Sequence, residues 1–255
     1  MAWVKETAVI GGVWKMRKAG SGLPFTPCGL LSQSQQAYET TEIRLEDTTQ
    51  PLGGAYDKLE KVTKMALAFN FREINSRNLA VLNFGTVYNV PSATVPAEKV
   101  VVAVGGTSKL AKMPLTITSV KGVGDTPPTY VEDVDYMITG AGIEVLAGGD
   151  LADDIGNATD FEVEVTYTCA DYDEIEALTN SGEEWEIMFE GGNAVGTKGK
   201  INAHYWRVRF GLTQGFDLLS VEDFLGMQAS AEVLAAPGRG TGKSAYMKIN
   251  KQNPA

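Results

Sequence analysis

The sequence predicts an all-β protein, a sandwich or barrel carrying one short α-helix, and three observations lead there. Apolar and polar residues alternate in short runs along most of the chain, the period of half-buried strands. Twenty-eight glycines punctuate those runs, and Thr and Val are abundant, a bias toward turns and strands over helices. Only one segment, Ser76 to Gly85, pairs a cap residue with leucines three apart and a glycine stop. With 255 residues, 44% of them hydrophobic and 21% charged, the chain can bury a core of one large β domain or two ordinary ones.

Residues 1–37 mix Gly, Pro, Ser and Gln with Trp3 and Trp14 and read as an extended arm with weak strand character from Ala8 to Met16. Exposed Trp is costly unless it docks on a core or on another subunit; docking between subunits is the preferred reading, by a small margin over docking on its own core. Removing residues 1–20 is then expected to hinder assembly without unfolding the protomer. Residues 38–90 form strand, turn, strand and helix. In the first strand Tyr38, Ile43 and Leu45 are apolar while Glu42, Arg44 and Glu46 are charged; Gly53-Gly54 breaks the chain; Val62, Met65, Leu67, Phe69 and Phe71 then carry the apolar side chains of a second alternating run. Ser76 is the expected cap of a helix over 77–83, which Gly85 stops.

Two prolines in the stretch 89–96 mark a boundary. Beyond it, five short strands at regular spacing predict a small inserted sandwich over 93–171, flanked by a core made of 1–92 and 172–255. In that insert, the Asp150 to Asp154 cluster lacks the ligand spacing of a calcium loop and reads as a solvated turn. Glu183 to Phe210 reads as a wide hairpin in which Trp185, Ile187 and Phe189 alternate with acids. A last long strand follows over 218–236, interrupted near Gly226, and a short terminal strand lies near Tyr246.

Net charge is −10, and residues 131–190 hold eighteen acids and no Lys or Arg. Such a run is a solvated surface, or an acidic lobe facing a basic one on a neighbour. No basic stripe with interleaved aromatics is present, which argues against sequence-specific nucleic-acid binding. No apolar run approaches the about 20 residues a membrane span needs, and the first twenty residues lack a signal peptide's apolar segment, so a cytosolic or virion setting is expected.

Chemistry is hard to find. Cys28 and Cys169 read as two reduced thiols rather than a bridge. One His and two distant Cys cannot supply a four-ligand zinc site. His204 has no nucleophile elbow to serve. Pro237-Gly-Arg-Gly-Thr-Gly-Lys-Ser244 imitates a P-loop, but Pro237 replaces its first glycine and no helix fits after it, so it reads as a loop. No catalytic, cofactor or metal residue is assigned, and an enzyme is not expected.

One resemblance organises these elements. The acidic strand Glu42 to Thr49, the turn Gly53-Gly54 with Asp57, the strand Met65 to Ile74 and Ser76-Arg-Asn-Leu-Ala80 with Gly85 follow in the order found in tail tube proteins of long-tailed bacteriophages. Val134-Asp-Tyr136 through Tyr167, Glu183 to Asn193 and Gln228 to Ala235 extend the likeness over most of the chain. The resemblance implies a β-sandwich protomer assembling into stacked hexameric rings, a hollow tail tube through which double-stranded DNA passes. It implies contacts with other tail proteins (tail terminator, distal tail or baseplate, tape measure), no membrane and no cofactor, and residence in the virion after assembly in the host cytoplasm. On that reading Glu39, Glu42, Glu46 and Asp47 are candidate lumen acids, and Trp3, Trp14, Gly53, Gly54 and Asp57 candidate contacts between subunits or rings. The alternative is a monomeric β-sandwich binding module for carbohydrate or a surface ligand, with Trp185, Tyr205 and Trp206 in a groove. A third reading, a hydrolase on paired acids, needs a carboxylate of raised pKa in a cleft.

Overall fold

The computed structural model describes residues 7–49, 51–195, 199–213, 215–216 and 218–253. Trp3 lies outside them. Two compact units divide the chain: residues 1–87 with 175–255, and residues 88–174.

In chain order the first unit supplies β1 (Ile10–Lys18), β2 (Thr26–Pro27), β3 (Leu31–Glu46), β4 (Ala55–Phe71) and helix α1 (Ser76–Leu82). β5 (Thr86–Val90) leads out to β6 (Ala93–Val101), β7 (Thr107–Lys109), β8 (Pro114–Gly122), β9 (Thr129–Tyr130), β10 (Tyr136–Ile138), β11 (Gly142–Val145), helix α2 (Asp150–Ile155) and β12 (Glu162–Cys169). β13 (Tyr172–Glu176) pairs with β5 as the chain returns to β14 (Glu184–Asn193), β15 (Lys200–Phe210), β16 (Gly215–Phe216), β17 (Met227–Val233) and β18 (Met247–Lys251). The protein is all-β, with two short helices among the described residues.

The first unit is one antiparallel sheet in the order β2-β1-β14-β15-β17-β4-β3, with β18 added beside β15 and β16 beside β17. Its strands bury one face only: Trp14 and Met16, Trp185 and Ile187, Tyr205 and Val208, Met227 and Ala229, Met65, Leu67, Phe69 and Phe71. Each large side chain so covered contributes roughly 2 kcal/mol. The sheet curls around that core. Trp14 on β1 meets Phe69 on β4 edge-on at 5.1 Å, although four strand steps separate them, and the Tyr205 hydroxyl reaches Gln36 on β3 at 2.7 Å. Along β1 the register sets Gly12 opposite Gly191. A Cβ on either would lie about 2.6 Å from the Phe189 ring, so both glycines make room for that aromatic.

Helix α1 packs Leu79, Val81 and Leu82 against the same core. Its cap is Asn75, one residue before the expected Ser76: the Asn75 carboxamide oxygen accepts from Asn78 N. Gly85 serves by proximity rather than by handedness, since Phe84 carries the positive φ and a Cβ on Gly85 would stand 2.7 Å from Glu176 O.

The second unit stacks a four-stranded sheet, β6-β12-β8-β9, with a three-stranded one, β10-β11-β7. Val163, Val165 and Tyr167 of β12 fill the space with Val120, Ile143 and Leu151. Pro96 is tolerated because β6 is an edge strand, paired among the described residues only with β12.

Several expectations change. Residues 10–18 are no arm; β1 pairs with β14 along nine residues. The Asp150 cluster is the helix α2, because Leu151 and Ile155, four apart, both seal the core, while the buried Asp135 carboxylate accepts from Leu151 N. The expected last strand starts only at Met227, and residues 218–226 are irregular. The acidic run also dissolves. Its last five members belong to the first unit, and four of those face bases: Glu190 with Lys15, Glu186 with Arg17, Glu184 with Arg207 and Arg209, and Glu183 with Lys18.

Candidate functional site

The hairpin of β3 and β4 is the feature that the fold does not account for. β3 has 16 residues, a length of about 50 Å, and β4 has 17. Among the described residues β3 pairs only with β4, so its other edge presents a row of unpaired backbone groups. Near its base the hairpin is ordinary: Met65, Leu67, Phe69 and Phe71 are buried. From Tyr38 to Thr63 nearly every described residue is exposed, on both faces.

Register assigns the faces. Thr41 opposes Lys61, Ile43 opposes Leu59 and Leu45 opposes Asp57, and these continue the sheet's outer face with Glu39 and Lys64. Thr40 with Val62, Glu42 with Glu60 and Arg44 with Lys58 continue the face that carries Met65 lower down. The strip Ile43, Leu45 and Leu59 is thus an uncovered apolar patch, each residue more than half exposed. On the opposite face Glu42 binds Lys58 at 3.0 Å and Arg44 at 3.3 Å, and Thr40 donates to Glu60. Bulges at Thr63 and Tyr56, where β4 slips one residue against β3, add local twist.

The residues picked from sequence separate accordingly. Glu39 projects on the face opposite Glu42 and Glu46, because an odd number of steps along a strand reverses direction, so the four acids do not share one surface. Glu39 is also tied to Lys64 at 3.0 Å. Asp47 lies past the strand, its carboxylate held below the ordinary range by hydrogen bonds from Thr49, while its N–H donates to Gly54 O at 2.7 Å to close the turn. Gly53 and Gly54 occupy that turn at φ 66° and 150°, with open space around both. Asp57 is inside β4 rather than in the turn, and it accepts from Lys58 N. Trp14 gives way as an intersubunit contact: it is 9% exposed and enclosed by Phe69, Phe189 and Tyr205 of its own chain.

Sequence reasoning missed the loop 218–226. Leu218, Leu219, Val221 and Phe224 are each more than 80% exposed there, with Arg72 donating to Phe224 O and facing Asp223. The signal was available in Ser220, Glu222, Asp223 and Gly226, which break any strand alternation.

Elsewhere the chemistry stays modest. Trp185 and Tyr205 are buried in the core, whereas Trp206 makes a tilted ring contact with His204 and lies under Arg239, so the three line no common groove. His204 Nε2 stands 2.6 Å from Glu186; burial lowers its pKa, opposed by that carboxylate. Burial lifts the Cys28 thiol to about 11, and both thiols are free and buried. Among the described residues no group of three His, Cys, Asp or Glu could hold a metal, and no helix is long and apolar enough to cross a membrane.

An all-β protomer with a long open-edged hairpin is what the fold defines. Residues 8–250 match the family described as "Protein of unknown function UCP028589", and the chain belongs to that family. No curated protein matches it.

Proposed function

We propose that the protein is a structural subunit that polymerises through the β3–β4 hairpin into stacked hexameric rings, forming a phage tail tube that conducts double-stranded DNA. The observation that carries this reading is the free edge of β3 together with the uncovered strip Ile43, Leu45 and Leu59. A long unpaired edge is an aggregation hazard unless another strand covers it. Pairing it with a neighbour's sheet in a closed ring removes the edge altogether. The hairpin turn at Gly53-Gly54 would then reach toward the next ring. Of the proposed lumen acids, Glu39 and Glu42 are neutralised by Lys64, Lys58 and Arg44 of their own hairpin, which leaves Glu46 and Asp47 to repel phosphate. The other tail proteins would meet the tube at its ends and inside it, and the subunit would perform no catalysis. Its sites of residence would be the host cytoplasm and then the virion.

Electron microscopy of the concentrated protein tests the reading. Hollow tubes of regular axial repeat, abolished by replacing Ile43 and Leu59 with Asp, are expected. Monomers at every concentration, with Trp emission that responds to glycans, would favour the carbohydrate module instead; the separation of Trp206 from Trp185 and Tyr205 speaks against it.

A further inference from the structure

The loop that imitates a P-loop has a backbone property its sequence does not announce. Gly238, Gly240 and Gly242 have φ of 80°, 84° and 77°, while Arg239 and Thr241 between them are not among the positive-φ residues. Five successive residues therefore alternate in the sign of φ, and turns of that kind can set neighbouring N–H groups around one concavity as an anion-binding nest. No acceptor within the described residues takes an N–H from Gly238 to Gly242. The ends of the loop are fixed, by Ala236 N to Ala245 O at 2.8 Å and by Ser244 Oγ accepting from Tyr246 N and Met247 N.

Charge points the same way. After Glu232 the chain holds Arg239, Lys243, Lys248 and Lys251 and no acid. Among the described residues, Arg239 and Lys243 pair with no carboxylate. The Arg239 guanidinium carbon sits 3.3 Å from the centre of the Trp206 ring, with Lys248 at 5.7 Å from the same ring. Beneath them Arg239 Nε and Trp206 Nε1 are both buried without a hydrogen-bond partner, an unusual state for donors. The stack sets a cation on the Trp206 ring, carried by the residue between Gly238 and Gly240.

We propose that loop 237–243 binds a phosphate group, held by the N–H groups of Gly238 to Gly242 and by Arg239, with Lys243 adding charge. A tetrahedral dianion takes several converging donors, which suits five N–H groups and a guanidinium better than a carboxylate's two oxygens do. The site is not a nucleotide-hydrolysing one: a strand, β18, follows the loop where a P-loop needs a helix. It stands whether or not the protein forms tubes.

The test is a titration with inorganic phosphate at constant ionic strength, following Trp206 emission and the amide resonances of Gly238, Gly240 and Gly242. Saturable changes are expected in the wild type. Gly240→Ala has open space for its methyl group but cannot keep the left-handed backbone cheaply. It should leave the near-ultraviolet circular dichroism unchanged and weaken binding about tenfold, the loss of roughly one charge-assisted hydrogen bond. Arg239→Gln should weaken it similarly. A parallel titration with a short DNA duplex separates the sources of the phosphate: tighter binding that free phosphate displaces assigns the site to a nucleic-acid backbone, and binding of phosphate alone assigns it to the free ion. Changes that never saturate, an equal response to acetate, or an unaltered Gly240→Ala would overturn the proposal.

Discussion

The two halves of the β3–β4 hairpin differ in environment although their sequences alternate alike. At the base, Met65, Leu67, Phe69 and Phe71 point into the curled sheet and are buried. Toward the tip the apolar residues change sides: Ile43, Leu45 and Leu59 lie on the outer face and only Val62 on the face that carries Met65, and all four are exposed. Alternation creates a strand with two unlike faces, but it does not supply whatever covers the apolar one. Where the sheet curls back, its inner face is covered; where the hairpin runs past the sheet, nothing among the described residues covers either face.

The comparison can be broken or sharpened by graded changes. The largest effect is expected from deleting residues 1–20, which removes β1 and with it Trp14 and Met16 from the base-side core. The truncated chain should show no cooperative unfolding transition, against the sequence-based expectation that the segment is dispensable. Phe69→Ala, at the base, should cost about 3–5 kcal/mol in denaturant unfolding. Replacing Ile43 and Leu59 by Asp at the tip should change protomer stability by no more than about 0.5 kcal/mol, the range of surface substitutions, while preventing assembly in sedimentation. Equal destabilisation at tip and base would remove the distinction.

Smaller effects probe the rest of the sheet. Glu184 accepts hydrogen bonds from Arg207 and Arg209, and its pKa is lowered, chiefly by the Arg207 bond. A depressed folded-state pKa gives stability that is present above the unfolded value and is lost as pH falls through the folded one. Wild-type protein should therefore lose stability more steeply than Glu184→Gln between about pH 5 and pH 3, measured by thermal melts. Asn75→Ala removes the cap of α1 and should cost about 1 kcal/mol. No change there would mean that packing alone holds the helix.

Much of the fold was legible because strand periodicity and glycine breaks are local signals. The hairpins around Gly53 and over 184–210, the inserted strands and helix α1 all follow from them. Errors arose where a local signal had two outcomes. Trp14 in a Gly-rich segment reads as an arm until β14 offers it nine residues of pairing, and Leu218 to Phe224 read as strand although nothing among the described residues covers Leu218, Leu219, Val221 or Phe224. Grouping Glu39 with Glu42 and Glu46 fails on parity alone, which the sequence did contain.

By itself, then, the sequence determined the strand content, the turns, the short helix and the excess of acid over base, since each depends on neighbours a few residues apart. Only the tertiary structure decided which acids of β14 meet a base, which apolar residues stay uncovered on β3 and β4, and that Arg239 rests on Trp206. Those outcomes depend on register and on the curl of the sheet, which bring together residues tens to hundreds of positions apart, and no local pattern encodes them.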